Sequence, residues 1–210
     1  MKILHLSSSP RGQAAESYRL SRQIVDGLLE REPGAIVLDR SVGNGEIADI
    51  DADYALAQHA GTATTAAPLS DDGTLARSEA LIQELEGADV LVIGTPMHNL
   101  GLPSALKAWI DHIVRAGRTF NVTRAGKVGL LRDRPVYIAV SAGGVFSGER
   151  ARQPDFLTPY LKIVLGTIGL QDLHFFSVEG TTHGPDALGE ARARAEQALQ
   201  AHFALRALAT

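Results

Sequence analysis

Apolar and polar positions along the chain follow two alternating patterns. Short runs rich in branched aliphatic residues alternate with longer stretches in which apolar residues recur every three or four positions, as in Leu20, Ile24 and Leu28. The short runs lie at 2–7, 35–39, 88–94, 135–141 and 173–178. Strands that alternate with helices predict an α/β fold, with residues 1–210 forming one domain around a doubly wound, five-stranded parallel sheet with helices on both faces.

The helical pattern also predicts where several elements begin and end. The first helix is predicted to start near Ser17 and to stop before Gly34. The remaining predicted elements are helices over 75–85, from Pro103 as first helical residue, from Thr158 to a stop at Gly169 and over 185–207, and a small hairpin over 119–131 that turns at Ala125-Gly126. Residues 43–70 are weakly patterned, and only 53–59 is typical of a short helix.

Composition and charge exclude several classes of protein. The chain has 20 basic and 24 acidic residues, so it lacks the basic excess expected of a nucleic-acid-binding protein. It has no cysteine, which excludes disulfides, thiolate metal sites and cysteine nucleophiles. The apolar run at the N-terminus is too short for a signal peptide, and no run approaches the roughly 18 apolar residues of a membrane span. We therefore expect a cytoplasmic protein without a membrane or nucleic-acid partner.

Glycine and small polar residues concentrate in three loops that each follow a predicted strand, at 7–17, 95–102 and 141–148. Ligands of doubly wound sheets bind beyond the carboxyl ends of the strands, where the strand order reverses. The three loops are therefore predicted to form one ligand site.

The first loop has the chemistry of a phosphate site. Its serine hydroxyls and the N–H groups of the following helix suit an anion. It contains neither a P-loop nor the G-x-G-x-x-G fingerprint, which disfavours a nucleotide held by its pyrophosphate or triphosphate and favours a single terminal phosphate. The alternative is an ordinary loop in which Ser17 caps the helix.

The other two loops suit a flat ring. Two prolines, Pro96 and Pro103, fix the backbone around Asn99, which offers both a donor and an acceptor. Gly143-Gly144 lets the backbone approach a ligand closely. His98 could act as a ligand or base or simply be solvated, and Trp109 fits the core or an interface better than a cofactor site. Asp71-Asp72 has no histidine or third carboxylate at ligand spacing, so no metal site is predicted.

Several motifs together resemble one family. They are Leu6-Ser7-Ser8-Ser9-Pro10-Arg11 with Ser17, Pro96-Met97-His98-Asn99-Leu100-Gly101-Leu102-Pro103, Leu106-Lys107 with Trp109-Ile110-Asp111, Arg115-Ala116-Gly117-Arg118-Thr119-Phe120, Ser141-Ala142-Gly143-Gly144, and Pro159-Tyr160-Leu161 with Gly166 and Ile168-Gly169. Over nearly its whole length the chain resembles the FMN-dependent NADH:quinone and azo-compound reductases (azoreductases) of the flavodoxin-like superfold.

The resemblance implies a set of cofactor-binding residues. Those implied for the FMN phosphate are Ser9, Ala15, Glu16 and Ser17; for the isoalloxazine, Pro96, Met97, His98, Asn99 and Leu100; and for its pyrimidine end, Ser141, Ala142, Gly143 and Gly144. Phe120 is implied to shape the substrate pocket of a partner subunit. Two positions depart from the family: Ala15 replaces a common serine and can offer only its N–H, and His98 replaces a common tyrosine.

The resemblance also implies the reaction. Tightly bound FMN takes a hydride from NADH or NADPH and passes the electrons to a quinone or an azo compound, and N–H donors at Gly143-Gly144 stabilise the charge near N1 and O2. Because both substrates share one slot, ping-pong kinetics are expected. No catalytic side chain and no metal is assigned. Such proteins are homodimers with flavin sites at the subunit interface.

Three alternatives stay open from the sequence. A flavodoxin-type electron carrier would bind FMN but not oxidise a dinucleotide. A hydrolase of phosphate esters or phosphopantetheine would need an activated nucleophile or a metal cluster. A response-regulator-like switch would need an acidic pair after the first strand, where this chain has serines.

Overall fold

The computed structural model describes residues 1–60 and 73–207 and is built around a parallel sheet. Its strands are β1 (Lys2–Ser7), β2 (Ile36–Ser41), β3 (Val90–Pro96), β6 (Val136–Ala142) and β7 (Leu173–Glu179). They pair in the order β2-β1-β3-β6-β7. The chain moves outward in one direction from β1 to β2 and then in the other from β3 to β7, so the strand order reverses between β1 and β3. The predicted five-stranded, doubly wound sheet is confirmed.

The predicted helices are also present, with boundaries shifted by a few residues. They are α1 (Glu16–Arg31), α2 (Ala52–Ala60), α3 (Thr74–Gly87), α4 (Ser104–Ile113), α5 (Leu157–Thr167) and α6 (Pro185–Ala207). Pro103 is the N-cap of α4 and not its first residue, because its ψ of 145° is extended although its ring fixes φ at −60°. Of the weakly patterned segment, residues 61–70 lie outside the described residues, as does Asp71-Asp72.

Two apolar clusters cover the two faces of the sheet. Leu4, Leu6 and the alternate residues of β3 and β6 face α3, α4 and α5, while Ile3 and its alternates face α1 and α6. This follows from the period of two in a strand combined with the apolar stripe of each helix. Trp109 is almost fully buried among the first cluster, as expected for a core residue. Each fully buried large side chain contributes about 1.5–3 kcal/mol.

The predicted hairpin is confirmed as a separate two-stranded sheet, β4 (Phe120–Thr123) and β5 (Gly126–Gly129), with antiparallel pairing. Its turn uses Gly126 at φ 114°, a conformation that glycine adopts without steric cost. The hydroxyl of Thr119 donates to the carbonyl of Ile113 at 2.7 Å, which ties the hairpin to the end of α4. Across the described ranges, no helix is long and apolar enough to cross a bilayer.

Candidate functional site

The three glycine- and serine-rich loops meet at one edge of the sheet. β1, β3 and β6 are adjacent and parallel, so their carboxyl ends lie side by side. The N–H of Ser8 donates to the carbonyl of Gly94 at 2.9 Å, and the N–H of Met97 donates to that of Ser141 at 2.7 Å. The loops that follow the three strands are thereby fixed next to each other, at the point where the strand order reverses.

The serines of the first loop are buried and partly committed to the backbone. The hydroxyl of Ser8 donates to the carbonyl of Gly94 at 3.3 Å, and that of Ser9 accepts the N–H of Arg11 at 3.2 Å. A Cβ at Gly43 would overlap the carbonyl group of Ser9, so glycine is required there for the close approach of two backbone segments. The path of the serine loop is therefore set by its neighbours.

Ser17 is not the N-cap of α1. The cap is Ala15, which makes no side-chain bond, and Ser17 is the second helical residue. The side chain of Ser17 is completely buried, and within the described part of the chain its hydroxyl has no hydrogen-bond partner; the same is true of the hydroxyl of buried Ser7. A buried polar group without a partner costs about 1–3 kcal/mol, so these hydroxyls point to a ligand that satisfies them.

The N-terminus of α1 supplies further donors. The first intrahelical bond runs from the N–H of Arg19 to the carbonyl of Ala15 at 3.0 Å, so the N–H groups of Glu16, Ser17 and Tyr18 precede it and face outward. The N–H of Ala15, which the sequence assigned to the phosphate, donates to the carbonyl of Gly12 at 3.2 Å in this structure. The side chain of Glu16 also turns away from the loop, toward Arg19 and Arg192.

The second loop is a strained two-residue turn. The N–H of His98 donates to the carbonyl of Gly101 at 3.0 Å, and the N–H of Gly101 donates to the carbonyl of His98 at 2.9 Å. Asn99 and Leu100 form the tip of the turn, with φ of 47° and 70°. Asparagine tolerates this region, but for leucine it is unusual and costs about 1–2 kcal/mol. The carbonyl of Leu100 accepts the N–H of Phe156 at 3.0 Å and so holds the turn in place. Strain of this kind is concentrated at ligand-binding sites.

The side chains of this loop differ in exposure. His98 and Asn99 are exposed, whereas Pro96, Met97 and Leu100 are half-buried. The thioether of Met97 accepts the side-chain amide of Gln153 at 3.1 Å, so the segment after the third loop contacts the second loop. The loop thus has an apolar side, formed by Met97 and Leu100, and a polar tip, formed by His98 and Asn99. A flat heteroaromatic ring can use both, since it has apolar faces and polar edges.

The third loop presents backbone N–H groups. Ser141 and Ala142 are buried at the end of β6. The carbonyl of Gly143 accepts the hydroxyl of Thr182 at 2.9 Å and that of Gly144 accepts the N–H of Gly180 at 3.1 Å. The N–H groups of both glycines make no hydrogen bond within the described ranges. A Cβ at Gly144 would overlap the side-chain amide of Gln153.

Glu179, at the end of β7, fixes the third loop and was not recognised from the sequence. Its carboxylate accepts the N–H of Phe146 at 2.8 Å and both the N–H and the hydroxyl of Ser147, at 3.1 and 2.6 Å. The available sequence signal is its place at the carboxyl end of a strand in the same sheet, where side chains meet the other loops.

The cavities only partly coincide with the loops. One, of about 1080 Å³, adjoins the third loop at Gly144 but runs along β7 and α6. A second, about 290 Å³, lies beside the first loop between β1, β2 and α1, and Ser7 lines it. Because the free donors gather at the three loops, they locate the site better than the cavity along β7 and α6 does.

Phe120 is not brought to the three loops within the single chain. Its ring is buried at the base of the hairpin in the cluster formed by α3, α4 and α5, and the ammonium of Lys127 lies 4.9 Å from the ring centre. The structure thus places every other implied residue at the common edge and Phe120 in the core.

A chain of polar side chains runs from the buried Ser21 and His5 to the exposed Asp39. Nδ1 of His5 is 2.6 Å from the carboxylate of Asp39, and Nε2 is 2.8 Å from the hydroxyl of Ser21, which also donates to the carbonyl of Tyr18 at 3.0 Å. Burial lowers the pKa of His5, against the opposing effect of Asp39. The order Ser-His-Asp is that of a hydrolase triad, but the hydroxyl of Ser21 is buried and its proton is committed to the carbonyl of Tyr18, so it is not available as a nucleophile. Among the described residues, no cluster of histidine and carboxylate side chains could hold a metal.

Comparisons with known proteins agree with this geometry. A family model described as the flavodoxin-like fold matches residues 1–203. An FMN-dependent NADH:quinone oxidoreductase of Pseudomonas fluorescens is 46% identical over 199 residues, 94% of this chain and 93% of that protein. Another of the same name, from Burkholderia lata, is 43% identical and covers 99% of this chain and 98% of its own length.

Solved structures give the same fold. An azoreductase from Bacillus anthracis superposes with a TM-score of 0.83 at 25% identity, covering 96% of this chain and 98% of its own. An FMN-dependent NADH-azoreductase from the same species, in complex with FMN, superposes with a TM-score of 0.79 at 22% identity, covering 97% and 100%.

Proposed function

We propose that this chain, which belongs to the flavodoxin-like fold family, is an FMN-dependent NADH:quinone oxidoreductase that also reduces azo compounds. Relatives with the quinone reductase name are 43–46% identical and match this chain over more than nine-tenths of its length. The observation that carries the proposal is the buried hydroxyl of Ser17, which has no partner among the described residues and lies in the first turn of α1 with its free N–H groups, because together they offer a phosphate unsatisfied donors.

The residues at the sheet edge fit FMN in three parts. Ser9, Ser17 and the N–H groups of the first turn of α1, including that of Glu16, would hold the phosphate. The turn from Pro96 to Leu100 would border the ring system, and Ser141 to Gly144 would face its pyrimidine end. Ala15 would contribute its N–H only if the turn to Gly12 opens. When bound, FMN supplies the redox chemistry, accepting a hydride from the nicotinamide and delivering two electrons to the acceptor.

The chain itself supplies position and electrostatics. The strained turn at Asn99 and Leu100 is fixed before any ligand arrives, so it can orient a ring without reorganisation. The free N–H groups of Gly143 and Gly144 can stabilise negative charge at a ring edge, and the apolar side of Met97 and Leu100 excludes water. No side chain in the three loops has to move a proton, and none is assigned a catalytic role.

We further propose that the protein is a cytoplasmic homodimer that uses NADH or NADPH. Two large apolar side chains, Phe156 and Ile163, are 62% and 72% exposed on the α5 side of the second loop, whose turn is bonded to the N–H of Phe156. A second copy of the chain would cover these two side chains and place its own residues beside the turn. The substrate pocket of each subunit would then include residues of the partner, as the resemblance implies for Phe120. Light scattering after gel filtration would measure the assembly, and a monomeric mass would contradict this part of the proposal.

Two other functions have weaker support. A hydrolase would need an available nucleophile, and the hydroxyl of Ser21, which is bonded to His5, is buried and already donates to the carbonyl of Tyr18. A flavodoxin-type electron carrier would bind the same cofactor, but the relatives at 43–46% identity are named as NADH-oxidising enzymes.

Spectroscopy of the purified protein tests the proposal. We expect flavin absorption in the protein as isolated or after adding FMN, its bleaching by anaerobic NADH, and its return on addition of a benzoquinone. Initial rates at several quinone concentrations should give parallel double-reciprocal lines, as one shared slot requires. A protein that takes up no FMN would refute the function, and one that binds FMN but is not bleached by NADH or NADPH would support the electron carrier.

A further inference from the structure

An acidic side chain stands at the entrance of the phosphate site. Glu16 is the first residue of α1, where its carboxylate interacts favourably with the helix dipole and competes with any anionic ligand for that position. Its side chain is only 17% exposed. An ionised, half-buried carboxylate beside the free N–H groups would repel a phosphate.

Two arginines neutralise this carboxylate. Nε of Arg192, from α6, donates to Oε2 of Glu16 at 2.9 Å, and a second nitrogen of the same guanidinium donates to Oε1. Nε of Arg19 donates to Oε2 at 3.2 Å. The bond from Arg192 is the main reason why the pKa of Glu16 lies below its ordinary value. The carboxylate is therefore charged, held in a two-pronged pair and turned toward α6.

The remaining charges around Glu16 balance. Arg19 also pairs with Glu196 at 3.4 Å, and Glu196 accepts the side-chain amide of Gln23. Two carboxylates thus face two guanidinium groups, so this cluster of four side chains has no net charge. Removing one arginine would leave the cluster negative, next to the N-terminus of α1.

We propose that Arg192 is a positioning residue for the cofactor phosphate: by holding and neutralising Glu16 against α6, it allows the N-terminus of α1 to accept a doubly charged phosphate monoester. The inference rests on the proposed function, since it takes FMN as the ligand. It makes this part of the site depend on a residue far along the chain, on the last helix.

Titrations of the apoprotein with FMN and with riboflavin, which lacks the phosphate, test this role. In Arg192→Gln we expect the Kd for FMN to rise roughly fivefold to tenfold, because a nearby negative charge is left unneutralised, while the Kd for riboflavin stays unchanged. The difference from wild type should nearly vanish at 1 M salt, where the screening length falls to about 3 Å. Arg194→Gln, two residues along α6 and paired with exposed Glu190, is the control and should bind FMN as wild type does.

Rescue separates electrostatics from structural damage. Adding Glu16→Gln to Arg192→Gln should restore the wild-type Kd for FMN, because the repelling charge is gone. If Arg192→Gln weakens FMN and riboflavin equally, or if Glu16→Gln fails to rescue, Arg192 is merely structural and the inference is wrong. If Arg192→Gln does not fold, Arg192→Lys replaces it. Lysine keeps the neutralising charge although it cannot form the two-pronged pair, so a Kd for FMN within about threefold of wild type is then expected; a loss of both ligands would overturn the role. Failure of the wild type to bind either flavin would instead refute the proposed function.

Discussion

The unpartnered hydroxyl of Ser17 gives a prediction whose two effects have opposite signs. In Ser17→Ala the buried hydroxyl disappears from a site where, among the described residues, nothing satisfies it. Its removal relieves a desolvation cost of about 1–3 kcal/mol, and alanine is also the better helix former by about 0.5 kcal/mol. We therefore expect the free energy of unfolding of the apoprotein to rise by about 1 kcal/mol. The small void left by the missing hydroxyl offsets the rest of the stabilisation.

The same change should weaken FMN. A hydrogen bond to a charged group is worth about 1.5–3 kcal/mol, so the Kd for FMN should rise roughly tenfold to a hundredfold. Urea unfolding of the stripped apoprotein measures the first effect, and quenching of flavin fluorescence measures the second. Riboflavin should bind nearly as well to the variant as to wild type, because it offers no phosphate to Ser17.

Ser21 is the matched control. It is equally buried on the same helix, one turn further on, but its hydroxyl is bonded to His5 and to the carbonyl of Tyr18. Ser21→Ala should lower the free energy of unfolding by about 1–2 kcal/mol, since it leaves a buried ring nitrogen unpaired, and should leave the Kd for FMN unchanged. If Ser17→Ala destabilises the apoprotein as much as Ser21→Ala does and does not alter the Kd, the assignment of Ser17 to the phosphate is wrong.

Three further predictions address the other loops and the buried histidine. Glu179→Ala removes the carboxylate that holds the third loop, so the Kd values for FMN and riboflavin should rise together, about fivefold or more, in the same fluorescence titration; a change for FMN alone would contradict it. Gly43→Ala places a Cβ against the carbonyl of Ser9 and should lower the free energy of unfolding by about 1–3 kcal/mol in urea, and an unchanged midpoint would disprove the tight contact. Burial lowers the pKa of His5, so the unfolded chain takes up this proton at a higher pH than the folded protein does. The resulting stabilisation is complete above the unfolded value of 6.5 and is lost as the pH falls from there to the lower pKa of the folded protein. Melting curves across this range should show a smaller loss for His5→Gln than for wild type, and parallel losses would exclude His5 as the cause.

Much of the fold is encoded in local patterns, and the predicted strands and helices lie within a few residues of the observed ones. The errors are at boundaries set by single dihedral angles. Pro103 fixes its own φ, but whether it begins the helix or caps it depends on ψ, which the preceding turn determines. Ser17 has the residue type of an N-cap, but α1 already begins at Glu16, directly after the short 3₁₀ turn at Gly12–Ala14, so Ser17 lies inside the helix.

The parts of the site that sequence did not predict are those made by contacts between distant residues. Glu179 meets Phe146 across 33 positions and Arg192 meets Glu16 across 176, and no local pattern marks either pair. The left-handed conformation of Leu100 is equally hidden, because leucine has no preference for it and only the bonds of the surrounding turn impose it.

The proposed site is formed largely by backbone groups, so it does not depend on the side chains at the two positions where the resemblance implies a different residue. Ala15 cannot offer a hydroxyl, yet the N–H groups that follow it in α1 stay free, because they depend on the start of the helix and not on the side chain. His98 replaces a tyrosine, yet the turn it begins is closed by its own N–H and carbonyl with those of Gly101. If the proposed function is right, side chains matter where backbone cannot substitute for them: the buried hydroxyl of Ser17, the carboxylate of Glu179 that accepts several N–H groups, and the guanidinium of Arg192 that pairs with Glu16. Changes at these three positions should therefore act on cofactor binding, whereas a change at exposed His98 should not.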